Sequence, residues 1–296
     1  MKFPPRDFEE LRQIVILLRQ GDLDLPMGRK ILHGLELMIN DPELVATSNI
    51  VELSQWALLS PASISRLSKL LGFQGFNKFK MVFKQKSKLP NDFYSDGVKR
   101  LIDNKSISAK DLLTKQLLIV RQSIEQCIEN TDDADLVLAS ALLAKKHRVF
   151  IFGHRQSSAI ANVLLYGLAL IRPNVQMLLQ EDHGVAIALG QLKKGDLLVV
   201  ISSSPYSNIT VKITSLAHQQ GCQILAITDS SLSPLSEYAA VAIQVPTEGQ
   251  FYVNSIVASN FMIESLLCLT ATQLGQVAVN NLQRHELLLS QLNVAT

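Results

Sequence analysis

The stretch LLVVISSSPYSNIT, residues 197–210, decides the fold of this chain. Five apolar residues run directly into three serines, a proline, a tyrosine and further polar residues. An uninterrupted apolar run predicts a strand buried on both faces, which is typical of a parallel sheet covered by helices. The polar residues predict the loop after that strand, and open α/β sheets bind ligands at loops of this kind.

Four more runs rich in Val, Ile and Leu accompany this one: RVFIFG (148–153), VQMLL (175–179), CQILAIT (222–228) and VAIQVP (241–246). Helical patterns separate the earlier runs, and the tail from 253 to 294 is again helical. This alternation predicts an α/β fold, a three-layer α/β/α sandwich around a five-stranded parallel sheet.

The N-terminal part of the chain shows a different pattern, that of short helices. One helix is expected to begin near Pro26 and to stop before Pro42. The segment NIVELSQWALLSPASISRLSKLLGF (49–73) predicts a helix-turn-helix, in which Ser60 caps the second helix, Pro61 takes its first position and Gly72 ends it. We therefore expect an all-α helix-turn-helix domain over 1–86, a linker over 87–107 and the α/β domain over 108–296.

Positive charge is concentrated at the helix-turn-helix. Residues 60–90 hold seven Lys and Arg and no Asp or Glu, a balance that suits a polyanion such as double-stranded DNA. The alternative to DNA binding is that these basic residues form only a solvent-exposed helix face. The residues expected to contact the base edges or the phosphates of DNA are Ser60, Ala62, Ser63, Ser65, Arg66, Lys69, Asn77, Lys78 and Lys80.

Hydroxyl-rich loops follow two of the predicted strands. Serine caps helices everywhere, so each loop alone is a weak signal, but two after neighbouring strands favour a pocket for a polyol or an anion. The residues expected to bind this effector are Gly153, His154, Arg155, Ser157 and Ser158 in one loop, and Ser202, Ser203, Ser204, Tyr206 and Ser207 in the other. The segment ITDSSLSP supplies a third such junction with Thr228 and Asp229.

The segment LSPASISRLSKLLGFQGFNKFK resembles the helix-turn-helix of the RpiR/MurR family of bacterial transcriptional regulators. The α/β part is similar to a sugar isomerase (SIS) domain, and the resemblance covers roughly residues 25–275. It implies a phosphosugar or related anionic sugar metabolite as effector, regulation of carbohydrate metabolism genes, and a homodimer or homotetramer formed through the SIS domain.

Two positions depart from the SIS pattern. Arg155 stands where many SIS domains have a second glycine, and Pro205 stands where they have a glycine before a Thr. Proline lacks the N–H that would face a phosphate, so the usual cradle is altered. Arg155 either compensates with its guanidinium or pairs with Glu181 or Asp182.

A sensor is favoured over a catalyst, because the chain joins a DNA-reading module to a ligand pocket. No catalytic residue is assigned, although the chain offers candidate bases in His154, His183, Glu181, Asp182 and Glu264. Glu264 is expected to bind the effector or, as the alternative, to cap or pair at a subunit contact. The alternative is a phosphosugar isomerase or an aminosugar-processing enzyme.

Several properties are expected to be absent. The three cysteines lack ligand spacing, and we expect no metal and no cofactor. No apolar run is long enough for a membrane helix, and MKFPPRDFEELRQ lacks a signal core, so a cytoplasmic protein is expected.

Overall fold

Two compact units, Met1–Arg100 and Leu101–Thr296, make up the chain in the computed structural model. The structure describes residues 4–5, 8–86, 93–103, 108–178, 184–249 and 252–294. The boundary between the units falls within 87–107, the segment expected to be a linker.

The first unit contains helices α1 (Phe8–Gln20), α2 (Arg29–Asn40), α3 (Pro42–Thr47), α4 (Ile50–Trp56), α5 (Pro61–Leu70) and α6 (Phe76–Lys86). Asn49 caps α4 by accepting hydrogen bonds from the backbone N–H groups of Val51 and Glu52, and the Glu52 carboxylate accepts from the Asn49 N–H in return. Ser60 caps α5 by accepting from the Ser63 N–H at 3.1 Å.

Two helix boundaries differ from expectation. Helix α2 begins at Arg29 rather than near Pro26, with Gly28 as its N-cap. Pro42 does end that helix, but it also begins α3, because the Asp41 carboxylate accepts from the Leu44 N–H at 3.0 Å and proline suits a first helical position.

All six helices of the first unit, α1 to α6, contribute buried apolar side chains to its core. Leu53 of α4 and Ile64 and Leu67 of α5 are fully buried, as the helix-turn-helix pattern requires. Edge-to-face ring contacts extend this core, with centroids 5.5 Å apart for Phe8–Phe83 and 4.9 Å for Phe79–Phe83.

Helix α7 (Phe93–Asp103) spans the boundary between the units. The second unit then continues with α8 (Ala109–Glu129), α9 (Asp133–Lys145), β1 (Val149–Gly153), α10 (Ser157–Ile171), β2 (Val175–Met177), α11 (Val185–Gly190), β3 (Leu197–Ile201), α12 (Asn208–Gln219), β4 (Gln223–Thr228), β5 (Val241–Gln244), α13 (Val257–Leu274) and α14 (Gln276–Gln291).

The five strands form one parallel sheet in the order β2-β1-β3-β4-β5. Successive strand residues enter two different cores. Val149 and Ile151 pack with α9, α10 and α13 on one face, whereas Phe150 and Phe152 pack with α11 and α12 on the other. Helices thus cover both faces, and the expected three-layer α/β/α sandwich is confirmed.

Within the described ranges, no single helix has both the length and the apolar composition of a membrane span. Helices α13 and α14 meet that test only as a pair, and the pair is bent by 107°.

Candidate DNA interface and effector site

The helix-turn-helix consists of α4, a short turn and α5. In the turn Leu58 has φ 54° and is 71% exposed, so a branched side chain takes a conformation that glycine favours. Leu59 packs against α2, where a Cβ on Gly34 would lie 2.5 Å from the Leu59 Cδ1. The turn therefore depends on a glycine in α2 for its close approach.

The outer face of α5 presents most of the residues expected to contact DNA. Ala62, Arg66 and Lys69 are exposed, and their spacing places them along one side of the helix, away from the buried Ile64 and Leu67. Ser65 is half-buried.

Ser60 and Ser63 are joined to each other, with their Oγ atoms 2.8 Å apart. Ser60 is exposed and Ser63 half-buried. Because Ser60 also accepts from the Ser63 backbone, the capping interpretation of Ser60 is correct whether or not it also contacts DNA.

The polar residues of α6 differ in their exposure. Asn77, Lys78 and Lys84 are exposed, as a phosphate-binding role requires. Lys80 is half-buried, and its ammonium donates to the Ser48 carbonyl at 2.6 Å. Lys80 thus binds the carbonyl of the residue that follows α3, so its ammonium group is held by the first unit itself.

The candidate effector site lies at the carboxyl ends of β1 and β3, the two neighbouring strands at the centre of the sheet. The chain leaves β1 towards β2 on one side and returns to β3 on the other, so the strand order reverses between them. Ligands of open α/β sheets bind at such a reversal point. We call residues 154–156 the β1 loop and residues 202–207 the β3 loop.

Close packing fixes the β1 loop. A Cβ on Gly153 would lie 2.3 Å from the carbonyl oxygen of Ser157, so only glycine allows α10 to begin this near β1. Arg155 has φ 57°, a left-handed conformation that glycine favours, and the Ser158 Oγ donates to its carbonyl at 2.7 Å. Arg155 and His154 are exposed, and Ser157 is half-buried.

A hydrogen bond joins the two loops. The His154 Nδ1 and the Ser207 Oγ are 2.9 Å apart, which places these two predicted site residues together across the reversal point. Ser202 is buried, whereas Ser203 and Ser204 are half-buried and line the rim.

Asp229, which follows β4, binds the β3 loop from the neighbouring strand. Its Oδ1 accepts from the Tyr206 hydroxyl at 2.7 Å, and its Oδ2 accepts from the Ser204 backbone N–H at 3.3 Å. The hydroxyl-rich junction after β4 was noticed in the sequence, but this attachment was not predicted.

Asn254, between β5 and α13, was missed by sequence reasoning. Its Nδ2 donates to the Ser204 carbonyl at 2.7 Å and to the Ser203 Oγ at 3.0 Å. Its own carbonyl accepts from the Gln156 Nε2 at 2.8 Å. One residue thereby contacts both loops, and no periodicity in the sequence indicates this contact.

Glu264 lies on the exposed side of α13, about two turns after its first residue. No hydrogen bond or ion pair joins it to either loop in the described part of the chain. Glu181, Asp182 and His183, the suggested partners of Arg155 and the suggested bases, lie outside the described residues. The residues that the structure describes contain no group of three or more His, Cys, Asp or Glu side chains arranged to hold a metal ion.

Comparison with known proteins agrees with both halves of the fold. The helix-turn-helix domain of the rpiR family matches residues 29–88, and the SIS domain matches residues 142–269. An uncharacterized HTH-type transcriptional regulator from Haemophilus influenzae is 24% identical over 256 residues, which cover 84% of this chain and 87% of that protein.

Two solved structures are similar in fold. The sugar isomerase domain of an RpiR transcription factor from Sphaerobacter thermophilus has a TM-score of 0.57 and 23% identity, covering 59% of this chain and 98% of that one. The Vibrio vulnificus NanR protein complexed with ManNAc-6P has a TM-score of 0.55 and 17% identity, covering 94% and 98%.

A helix-turn-helix joined to a SIS domain defines a DNA-binding transcriptional regulator. The relatives from Haemophilus influenzae and Thermotoga maritima are described as HTH-type transcriptional regulators, and others, such as one from Burkholderia thailandensis, as bifunctional protein glk. Residues 29–88 thus match the helix-turn-helix domain of the rpiR family, as the segment LGFQGFNKFK indicated.

Proposed function

We propose that the SIS domain senses a small anionic sugar-type metabolite, a phosphorylated sugar or a sugar acid, and thereby controls operator binding at carbohydrate metabolism genes. The observation that carries this proposal is the contact between His154 and Ser207, which joins two hydroxyl-lined loops at the reversal point of the sheet. The complex of the similar NanR with ManNAc-6P supports phosphosugars as the first class to test.

The DNA contacts proposed for α5 are those of a recognition helix in the major groove. Arg66 is suited to pair with a guanine through two bonds, and Ser60, Ala62, Ser63, Ser65 and Lys69 lie near it on α5 or at its cap. On α6, Asn77 and Lys78 are suited to phosphates. Lys80 is left out of the proposed contacts, because its ammonium already binds the Ser48 carbonyl.

The DNA proposal is tested by fluorescence anisotropy with a duplex from the region upstream of the gene. We expect Arg66→Ala to weaken binding by about 1–3 kcal/mol, and Arg66→Lys to recover only part of this, since an ammonium lacks the paired donors. Lys78→Ala should make the slope of log K against the logarithm of the salt concentration shallower by about one, because one phosphate contact is lost. Lys212→Ala, an exposed lysine of α12, is the matched control and should change neither quantity.

The effector proposal is tested by adding N-acetylmannosamine 6-phosphate, glucose 6-phosphate or gluconate to the protein–DNA complex. A true effector changes the operator affinity, because it binds one arrangement of the protein better than the other. Arg155→Ala should weaken that response while leaving the affinity for DNA without effector unchanged. If no sugar phosphate or sugar acid changes the operator affinity or raises the melting temperature, the sensing proposal is wrong.

Self-association through the SIS domain is part of the proposal. The first ten residues of α8 contain no buried side chain, and Leu113, Leu117 and Leu118 are 70%, 65% and 60% exposed. Apolar side chains grouped in this way mark a subunit contact, here with a second copy of the chain as dimer or tetramer. Leu113→Asp combined with Leu117→Asp should lower the molecular mass measured by sedimentation, and the mass should stay unchanged in Leu216→Asp, a substitution of an exposed leucine of α12.

We place the protein in the cytoplasm, with its DNA, and without catalytic activity. Among the residues that the structure describes, His154 favours the isomerase alternative, because its Nδ1 lies 2.9 Å from the Ser207 Oγ in the candidate site. Turnover of a sugar phosphate by the purified protein, abolished in His154→Gln and unchanged in His218→Gln, would establish the enzyme instead.

A further inference from the structure

We propose that Asn254 is a positioning residue of the candidate effector site: it connects the β1 loop to the β3 loop, so that the two loops open together and are ordered together when an effector binds. We call its hydrogen bonds to Gln156, Ser203 and Ser204 the Asn254 bridge. This deepens the proposed function, on which it rests, by assigning the residue that makes both loops respond to one ligand.

The side chain of Asn254 holds the β3 loop at two points. Its Nδ2 carries two hydrogens, and it donates to the Ser204 carbonyl at 2.7 Å and to the Ser203 Oγ at 3.0 Å. Two bonds from one planar carboxamide fix its orientation as well as its distance from the loop. Because alanine makes neither bond, Asn254→Ala releases the β3 loop on this side.

The backbone of Asn254 holds the β1 loop. Its carbonyl accepts from the Gln156 Nε2 at 2.8 Å, and the side chain of Gln156 is exposed. Because this acceptor belongs to the main chain, the bond from Gln156 does not depend on which side chain occupies position 254. The two halves of the Asn254 bridge can therefore be removed separately, by Gln156→Ala on one side and by Asn254→Ala on the other.

The position of Asn254 is fixed from outside both loops. The next residue, Ser255, is buried, and its N–H donates to the Thr247 carbonyl at 2.9 Å, which attaches it to the residues that follow β5. Helix α13 then begins at Val257, and its Ala258 is buried in the core on one face of the sheet. Both loops thus bind a residue that the core holds in place, so restraint of one loop also limits the other.

The Asn254 bridge differs in burial from the direct contact between the loops. The hydrogen bond between His154 and Ser207 is exposed to water, whereas the bonds of Asn254 to the β3 loop are partly buried. A hydrogen bond of ordinary net strength changes the equilibrium for local opening by about 3- to 10-fold. Loops that are held together before binding lose less freedom when a ligand orders them, which favours effector affinity.

The test is amide hydrogen exchange of the full-length protein without ligand, measured by mass spectrometry on peptides that cover the β1 loop and the β3 loop. We expect Asn254→Ala and Gln156→Ala each to speed exchange in both loops by about 3- to 10-fold. The effect of Gln156→Ala on the β3 loop is decisive, because the Gln156 side chain bonds to Asn254 rather than to that loop. In each loop the double variant should exchange no faster than the faster single variant, since the connection is already broken.

Asn280→Ala is the matched control, because it removes an exposed asparagine of α14 that accepts from Gln276 within the same helix; exchange in both loops should stay unchanged. Faster exchange confined to the loop that each variant touches, or unchanged exchange in both loops, overturns the proposal. If Asn254→Ala fails to fold, the effect of Gln156→Ala on the β3 loop decides alone. The measurement needs no effector, so its failure differs from failure of the proposed function, which is judged by operator release with sugar metabolites.

Discussion

Replacing Gly153 with alanine should push the start of α10 away from the end of β1. A Cβ at this position would lie 2.3 Å from the carbonyl oxygen of Ser157 and 2.6 Å from its carbonyl carbon. The shorter distance falls more than 1 Å below the 3.4 Å at which ordinary van der Waals contact begins. Because both atoms belong to the backbone, no rotation of a side chain relieves the overlap.

The expected cost lies at the upper end of the range for overpacking, about 3 kcal/mol of the free energy of unfolding. For a unit of the size of Leu101–Thr296 this lowers the melting temperature by roughly 6–12 °C. A displaced α10 also moves Ser158 away from the Arg155 carbonyl, so effector binding should fall together with stability.

The assay follows the two units separately during urea unfolding. The single tryptophan, Trp56, reports on the first unit by fluorescence, and far-ultraviolet circular dichroism reports on both. Gly190→Ala is the matched control, because a Cβ at Gly190 meets nothing within 4 Å, and its stability should stay within about 0.5 kcal/mol of the wild type. If Gly153→Ala unfolds as late as Gly190→Ala, the close packing of β1 on α10 is refuted.

Three further changes test other parts of the molecule. Asn49→Ala removes the capping box of α4 and should destabilise the first unit by about 1 kcal/mol, seen as earlier unfolding by Trp56 fluorescence. Arg172→Met should cost about 3 kcal/mol in the second unit, because the buried guanidinium donates to the carbonyls that end α9; the exposed Arg284→Met should cost little. Burial, with a smaller contribution from a nearby carboxylate, raises the pKa of the Cys222 thiol from about 9 to about 11. The folded protein then keeps a proton that the unfolded chain releases, so wild-type stability should fall relative to Cys222→Ala as the pH rises from 9 towards 11. An equal pH dependence in the two proteins would contradict this.

Features that depend on residues close together in the chain could be predicted from the sequence. The strands were predictable because each apolar run fills two cores at once, as Val149 and Phe150 do on opposite faces of the sheet. The helix caps at Asn49 and Ser60 were predictable because a cap requires only a polar side chain two or three residues before the amide that it binds.

Features that depend on distant contacts were not predictable. Helix α3 is only six residues long, so it has no periodicity to detect, and its absence from the prediction hid the carbonyl of Ser48 that binds Lys80. The contacts of Asp229 and Asn254 with the β3 loop join residues 23 to 51 positions apart, and no local pattern specifies such pairs.

Asn254 is separated by 98 positions from Gln156 and by 50 from the Ser204 carbonyl, yet it binds both. During synthesis the β1 and β3 loops leave the ribosome before Asn254, the residue that connects them. A chain interrupted before Asn254 and α13 would contain the whole helix-turn-helix domain but would lack the residue that connects the two loops of the candidate effector site. Such a fragment would keep the proposed DNA contacts without the bonds of Asn254 to both loops, so control by an effector would require synthesis to continue through α13.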